Sequence, residues 1–141
     1  GIGGRLRQVP EDFRVEEILT NGSKASIHPP ASPHLGVRGR YLICILVKRN
    51  IDTFLAVRAV AKRLRISQER IQIAGIKDAR ALTAQHISIG RMLPEQLAEF
   101  EPDNVRLYPL AFSNEKVSAS LIYGNEFKIV IRSIWLSLSE T

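Results

Sequence analysis

Asp78 stands between Lys77 and Arg80 in the stretch Ala74-Gly75-Ile76-Lys77-Asp78-Ala79-Arg80-Ala81-Leu82-Thr83-Ala84-Gln85. An ionised carboxylate can act as nucleophile, base or electrostatic stabiliser. The flanking Lys77 and Arg80 can hold phosphates, one as a point charge and one as a planar fork. Gly75 lets a loop bend sharply after a strand and lets a ligand approach the backbone. On residue types alone, the same stretch also reads as a plain charged turn.

Three other positions break the pattern of the strands that carry them. Period-2 counting sets Phe13, Val15 and Glu17 on one face, so Glu17 is either a paired, working acid or a strand-end carboxylate in solvent. Gln85 shares a face with Ile87 and Ile89; a buried amide there needs partners, and a loop backbone is the natural supplier. Asn125 shares a face with Phe127, Ile129 and Ile131. Because it follows Gly124, it reads equally as the left-handed residue of a hairpin turn.

The elements that must position these residues alternate unevenly along the chain. Phe13 to Leu19 reads as a strand, and residues 21–39 as a loop punctuated by Pro29, Pro30, Pro33, Gly36 and Gly39. Arg40 to Lys48 is a strand whose unbroken apolar centre implies burial on both faces. Asp52 or Thr53 can cap a helix running to about Arg65, with Phe54, Val57, Val60, Ala61 and Leu64 on one face and Arg58, Lys62 and Arg65 on the other. Residues 67–70 form a turn or short helix, 71–74 a short strand, 75–83 a loop and 84–91 a strand. Pro94 starts a helix to Phe100. Val105 to Phe112, Val117 to Tyr123 and Phe127 to Arg132 close the chain as three strands. Strands outnumber helices, so the expected class is α+β: a mixed, mostly antiparallel sheet with helices on one face.

The chain has 141 residues, 45% of them hydrophobic and 24% charged, which argues against disorder. Its single cysteine, Cys44, excludes an internal disulfide framework and a Cys-based zinc site, and reads as a core thiol. The apolar run Tyr41 to Val47 falls far short of the ~20 residues a membrane span needs. The first residue is glycine and no charged-then-apolar leader follows, which suggests a fragment. The net charge of +6 is unevenly placed. From Arg38 to Arg91 there are twelve Lys or Arg against Asp52, Glu69 and Asp78, a local +9, while the remainder carries −3. A polyanion-binding face accounts for that asymmetry, and a solvated basic helix is the plainer alternative. His28 and His34 read as surface residues in the Pro-rich loop, His86 carries no assigned role, and Trp135 reads as packing or an edge aromatic.

The Asp78 stretch, taken as Ala74-Gly75-x-Lys77-Asp78-x-x-Ala81-x-Thr83-x-Gln85, resembles the signature of the TruD family of tRNA pseudouridine synthases. Three further stretches resemble that family in the same order: Pro10-Glu11-Asp12-Phe13-Arg14-Val15-Glu16-Glu17, Tyr41 to Thr53, and Gly124-Asn125-x-Phe127-x-Ile129-x-Ile131-Arg132. The opening Gly1-Ile2-Gly3-Gly4-Arg5 is most similar to archaeal members. The resemblance implies isomerisation of uridine to pseudouridine in tRNA, of the position-13 type. The C–N glycosidic bond breaks, the uracil turns, and C5 joins C1′. It implies neither metal nor cofactor, a tRNA partner, no membrane and a cytoplasmic location.

By residue matching, Asp78 is the catalytic aspartate, attacking or deprotonating the ribose. Asn125 and Phe127 take the base-contacting positions, an amide for the uracil edge and a ring to stack on a flipped base. Glu17 matches the acidic position of the first motif as support. Lys77, Arg80, Gln85 and Lys116 complete the substrate side, and Arg58, Lys62 and Arg65 form a phosphate track. Two departures stand out. Where the family has a basic Arg-Lys-Leu-Arg-x-Gly run, Glu115-Lys116-Val117-Ser118-Ala119-Ser120 keeps only Lys116. Family members also run two to three times longer. Residues 1–141 therefore read as the N-terminal portion of a catalytic domain, lacking the inserted domain and the second half, with a C-terminal half or partner chain completing the sheet. The alternative is a non-catalytic RNA-binding fragment or protein of the same fold.

Overall fold

The computed structural model describes residues 9–97 and 104–130. Its frame is one mixed sheet of six strands: β1 (Phe13–Leu19), β2 (Tyr41–Arg49), β3 (Ile71–Ile73), β4 (Leu82–Gly90), β5 (Val105–Ser113) and β6 (Ile122–Ile129). The order is β5-β2-β4-β1-β6, with β3 also on β4. All pairings are antiparallel except β1 with β4, which is parallel.

One α-helix, α1 (Thr53–Leu64), covers one face. Asp52, and not Thr53, caps it, accepting from the N–H groups of Phe54 and Leu55. Arg65 ends it in the left-handed conformation at φ 57°. Ala56, Val57, Val60 and Ala61 pack on Leu42, Cys44 and Leu46 of β2 and Ile87 and Ile89 of β4. The central strand β2 has an unbroken apolar centre because its opposite face is also covered. There Ala25 and Ile27 of the long loop meet Ile45, Val47 and Ala84.

Phe54 departs from the expected apolar face and is exposed. It follows the buried Thr53 directly and is followed by the likewise exposed Leu55, so the buried face of α1 resumes only at Ala56. The expected strand from Val117 to Tyr123 is a 3-10 turn, Ala119–Leu121, leading into β6. Alternating Val117, Ala119, Leu121 and Tyr123 mimics a strand, but Val117 N–H is taken by Ser88 Oγ, which pulls this stretch off the ladder. The expected strand Phe127 to Arg132 begins earlier, at Ile122, so the last two expected strands are one; Ile131 and Arg132 lie outside the described residues. Asn125 is no hairpin residue: it lies inside β6 opposite Glu17. The helix from Pro94 is a 3-10 turn to Leu97, and residues 98–100 fall outside the described residues, as does Trp135. Cys44 is fully buried in the core, and burial pushes its thiol up.

Candidate active site

Register aligns the candidate residues in rows across the α1 face. Lys48 of β2 stands opposite Thr83 of β4, Thr83 opposite Val15 of β1, and Val15 opposite Phe127 of β6. The next row holds Leu46 opposite Gln85, and Glu17 opposite Asn125. Paired residues share a face, so Glu17, Gln85, Asn125 and Phe127 all project to the side that carries α1.

The Asp78 loop, residues 74–81, closes over this face between β3 and β4. Each anchor is a buried polar side chain meeting loop backbone. Gln85 Nε2 donates to Gly75 O at 2.7 Å, so the loop does supply the partner a buried amide requires. Thr53 Oγ1, freed from capping by Asp52, accepts from Lys77 N–H at 2.9 Å. Lys48 Nζ donates to Asp78 O at 2.9 Å and to Ile51 O at 2.8 Å. Asp78 itself is exposed, and its Oδ1 accepts from Arg80 N–H at 2.7 Å. Gly75 serves close packing more than a sharp bend: an added Cβ would lie 2.8 Å from Ile122 Cδ1.

Glu17 sits where β4 changes partner. β1 pairs with β4 through Glu16 and Ala84, and β3 begins at Ile87, which leaves the edge at residues 85–86 unpaired by any strand. The Glu17 carboxylate fills that gap. Its Oε1 accepts from His86 N–H at 2.8 Å and from His86 Nδ1 at 2.9 Å, and Lys77 Nζ lies 2.8 Å from Oε2. Glu17 is fully buried, so the reading of a solvated strand-end acid is overturned. Burial pushes its carboxyl up, but the hydrogen bonds from His86 and Lys77 outweigh this and hold it below its ordinary value.

The same pair corrects the reading of Lys77. Its ammonium is buried against Glu17, turned inward and away from any phosphate. Arg80 is exposed on the loop, as are Arg58, Lys62 and Arg65 along α1. Lys116 is not brought to the Asp78 loop. It lines a separate cleft of about 500 Å³ with Ser23, Ile43, His86 and Phe112, to which residues 74–81 contribute nothing. Phe127 is 57% exposed and stacks on Phe13, with centroids 5.8 Å apart and planes at 28°.

Sequence reasoning missed Lys48 and His86. Period-2 counting puts Lys48 on the face of Cys44 and Leu46, the same signal that singled out Glu17. His86 had no such signal, because its partners, Glu17 and Ser23, come from distant segments.

The description "tRNA pseudouridine synthase D (TruD)" belongs to the family model that matches residues 1–141. The chain belongs to the TruD family. It is 44% identical over 141 residues to a Methanosarcina acetivorans protein named "Probable tRNA pseudouridine synthase D", covering 100% of this chain and 29% of that protein. A Methanosarcina barkeri protein of the same name is 41% identical, covering 99% of this chain and 29% of that one. The crystal structure of a TruD protein from Methanosarcina mazei superposes with a TM-score of 0.76 at 37% identity, covering 94% of this chain and 28% of that one. The chain thus spans under a third of the length of these TruD relatives. Its partial, pseudouridine-synthase-like α+β fold is theirs.

Proposed function

We propose that this chain carries the catalytic aspartate site of a tRNA pseudouridine synthase. The observation that supports this best is Asp78, exposed on a loop pinned from below and set over the sheet face that presents Asn125 and Phe127. A uridine flipped out of its stack brings three needs: a carboxylate for the ribose, a ring for the base face and an amide for the base edge. Asp78, Phe127 and Asn125 meet them in that order. Asp78 attacks or deprotonates the ribose as the C–N bond breaks; the uracil turns; C5 bonds C1′ and gives up its hydrogen. Gln85 and the Glu17–Lys77 pair hold the loop, and Arg80, Arg58, Lys62 and Arg65 face the tRNA phosphates. A tRNA substrate carries a cytoplasmic location with it.

Residues 1–141 are read as the N-terminal portion of the catalytic domain, with the inserted domain and second half supplied by further sequence or a partner chain. Among the described residues β6 is an edge strand, and its exposed Tyr123, Phe127 and Ile129 support a sheet that continues. The test is tritium release from tRNA bearing 5-tritiated uridine, with Asp78→Asn as control, on this chain and on the complete gene product. Release abolished by the substitution is the expected result, and equal release by the variant would overturn the role of Asp78.

A second reading, a non-catalytic RNA-binding unit of the same fold, is favoured by the stretch Glu115 to Ser120, which keeps Lys116 as its one cation and places it in a cleft apart from the Asp78 loop. It predicts salt-sensitive tRNA binding with no isomerisation by either preparation.

A further inference from the structure

Lys48 is fully buried on β2, yet its three acceptors are all backbone carbonyls: Ile51 O at 2.8 Å, Lys77 O at 3.4 Å and Asp78 O at 2.9 Å. Two of these belong to the peptides on either side of the Asp78 Cα, and the third to the turn that leads into α1. We infer that Lys48 is a positioning residue for Asp78, its ammonium gathering these carbonyls so that the loop presents the carboxylate in one orientation. The inference rests on the reading of Asp78 as the catalytic aspartate.

Three considerations carry it. A buried cation costs desolvation that a packed apolar side chain of similar volume would not, so stability alone does not favour lysine here. An ammonium has three donors, matching three converging carbonyls, whereas a hydroxyl or amide oxygen offers no such set. The Asp78 side chain is engaged separately, its Oδ1 accepting from Arg80 N–H at 2.7 Å, so Lys48 acts on the backbone while the loop's own N–H meets the carboxylate. The charge itself is finely held. Burial lowers the ammonium to about 8, while Asp52 and Asp78 hold the proton on and Lys77 works against it. A neutral amine keeps two donors and must release one carbonyl.

The experiment compares Lys48→Met and Asp78→Asn with the unaltered complete gene product in single-turnover tritium release and in tRNA binding. Lys48→Met keeps the side-chain volume, and the thermal midpoint is recorded alongside. A misplacement of about 1 Å costs roughly a hundredfold in rate. The expected result is a loss of that order in turnover, with tRNA affinity within about twofold, because a buried residue touches no phosphate. Lys48→Met with unchanged turnover, beside an inactive Asp78→Asn, overturns the inference and leaves the Asp78 reading intact. An active Asp78→Asn overturns that reading instead. Should Lys48→Met fail to fold, the rate profile of the unaltered protein decides. A fall in turnover above pH about 8 supports the inference, and a flat profile through that range overturns it.

Discussion

Lys77 Nζ lies 2.8 Å from Glu17 Oε2 with both side chains buried, so the residue beside Asp78 is moored in the sheet and not offered to a ligand. Removing one member of a buried pair leaves the other charge without compensation, at a cost of about 3–5 kcal/mol. Glu17→Gln keeps an amide oxygen for His86 but strands the Lys77 ammonium. Denaturant unfolding should place this variant lower by about that amount. Adding Lys77→Met should return part of the loss. A double variant no more stable than Glu17→Gln would mean that His86, and not Lys77, is the partner that matters.

The same carboxylate sets an acid limit. Glu17 holds its proton less tightly folded than unfolded, because its hydrogen-bond partners outweigh the upward push of burial. Its contribution is therefore complete above the ordinary value of 4.5 and is lost as pH falls through the lowered folded value. Unfolding free energy measured across that range should drop with acid in the unaltered chain and drop less in Glu17→Gln. Parallel curves would assign the acid limit to other groups.

Lys48 gives the opposite sign at alkaline pH. Its folded value is about 8 against an ordinary 10.5, so between them the unfolded chain binds more protons. Stability then rises with pH across that window, while turnover is expected to fall as the clamp on Asp78 loses its charge. Equilibrium unfolding of the unaltered chain should show the rise, and Lys48→Met should remove it. Stability that falls across this window in both proteins would contradict a buried, depressed ammonium.

Glu17, Gln85 and Lys48 show what is legible in the sequence and where legibility stops. Each is a polar residue at the end of an apolar alternation, and each proves to be buried and bonded. Period-2 counting finds such positions because a strand has only two faces. It cannot find the partner, since Glu17 meets His86 across 69 residues and Lys48 meets Asp78 across 30. The direction of Lys77 was illegible for the same reason: a cation in a loop looks alike whether it faces solvent or a carboxylate beneath. The stretch before β6 failed differently. Its alternation is genuine, but the Ser88 hydroxyl takes the Val117 N–H that a ladder would need.

Asp52→Ala tests how far the helix start matters to the loop. The Asp52 carboxylate accepts from two N–H groups of the first turn, at 2.8 and 3.2 Å, and losing such a cap costs about 1 kcal/mol. The next residue is Thr53, whose hydroxyl holds Lys77 N–H, so fraying here loosens the loop as well. The variant should lose about that stability in thermal unfolding and also lose turnover. Turnover unchanged at equal occupancy would separate the cap from the site.

Binding and chemistry should come apart on the α1 face. Arg58, Lys62 and Arg65 are exposed and form no ion pair among the described residues, so they are available to phosphate. Each phosphate contact removed should lower the slope of log affinity against log salt by about one. Replacing all three with alanine should therefore reduce that slope by up to about three, with turnover at saturating tRNA unchanged. Phe127→Ala should do the reverse. Losing a stacked base costs about 1–3 kcal/mol in a contact that carries no charge, so turnover falls and the salt slope stays. A triple variant with an unchanged slope would move the phosphate track off α1. A Phe127→Ala variant with unchanged turnover would leave the flipped base to some other ring.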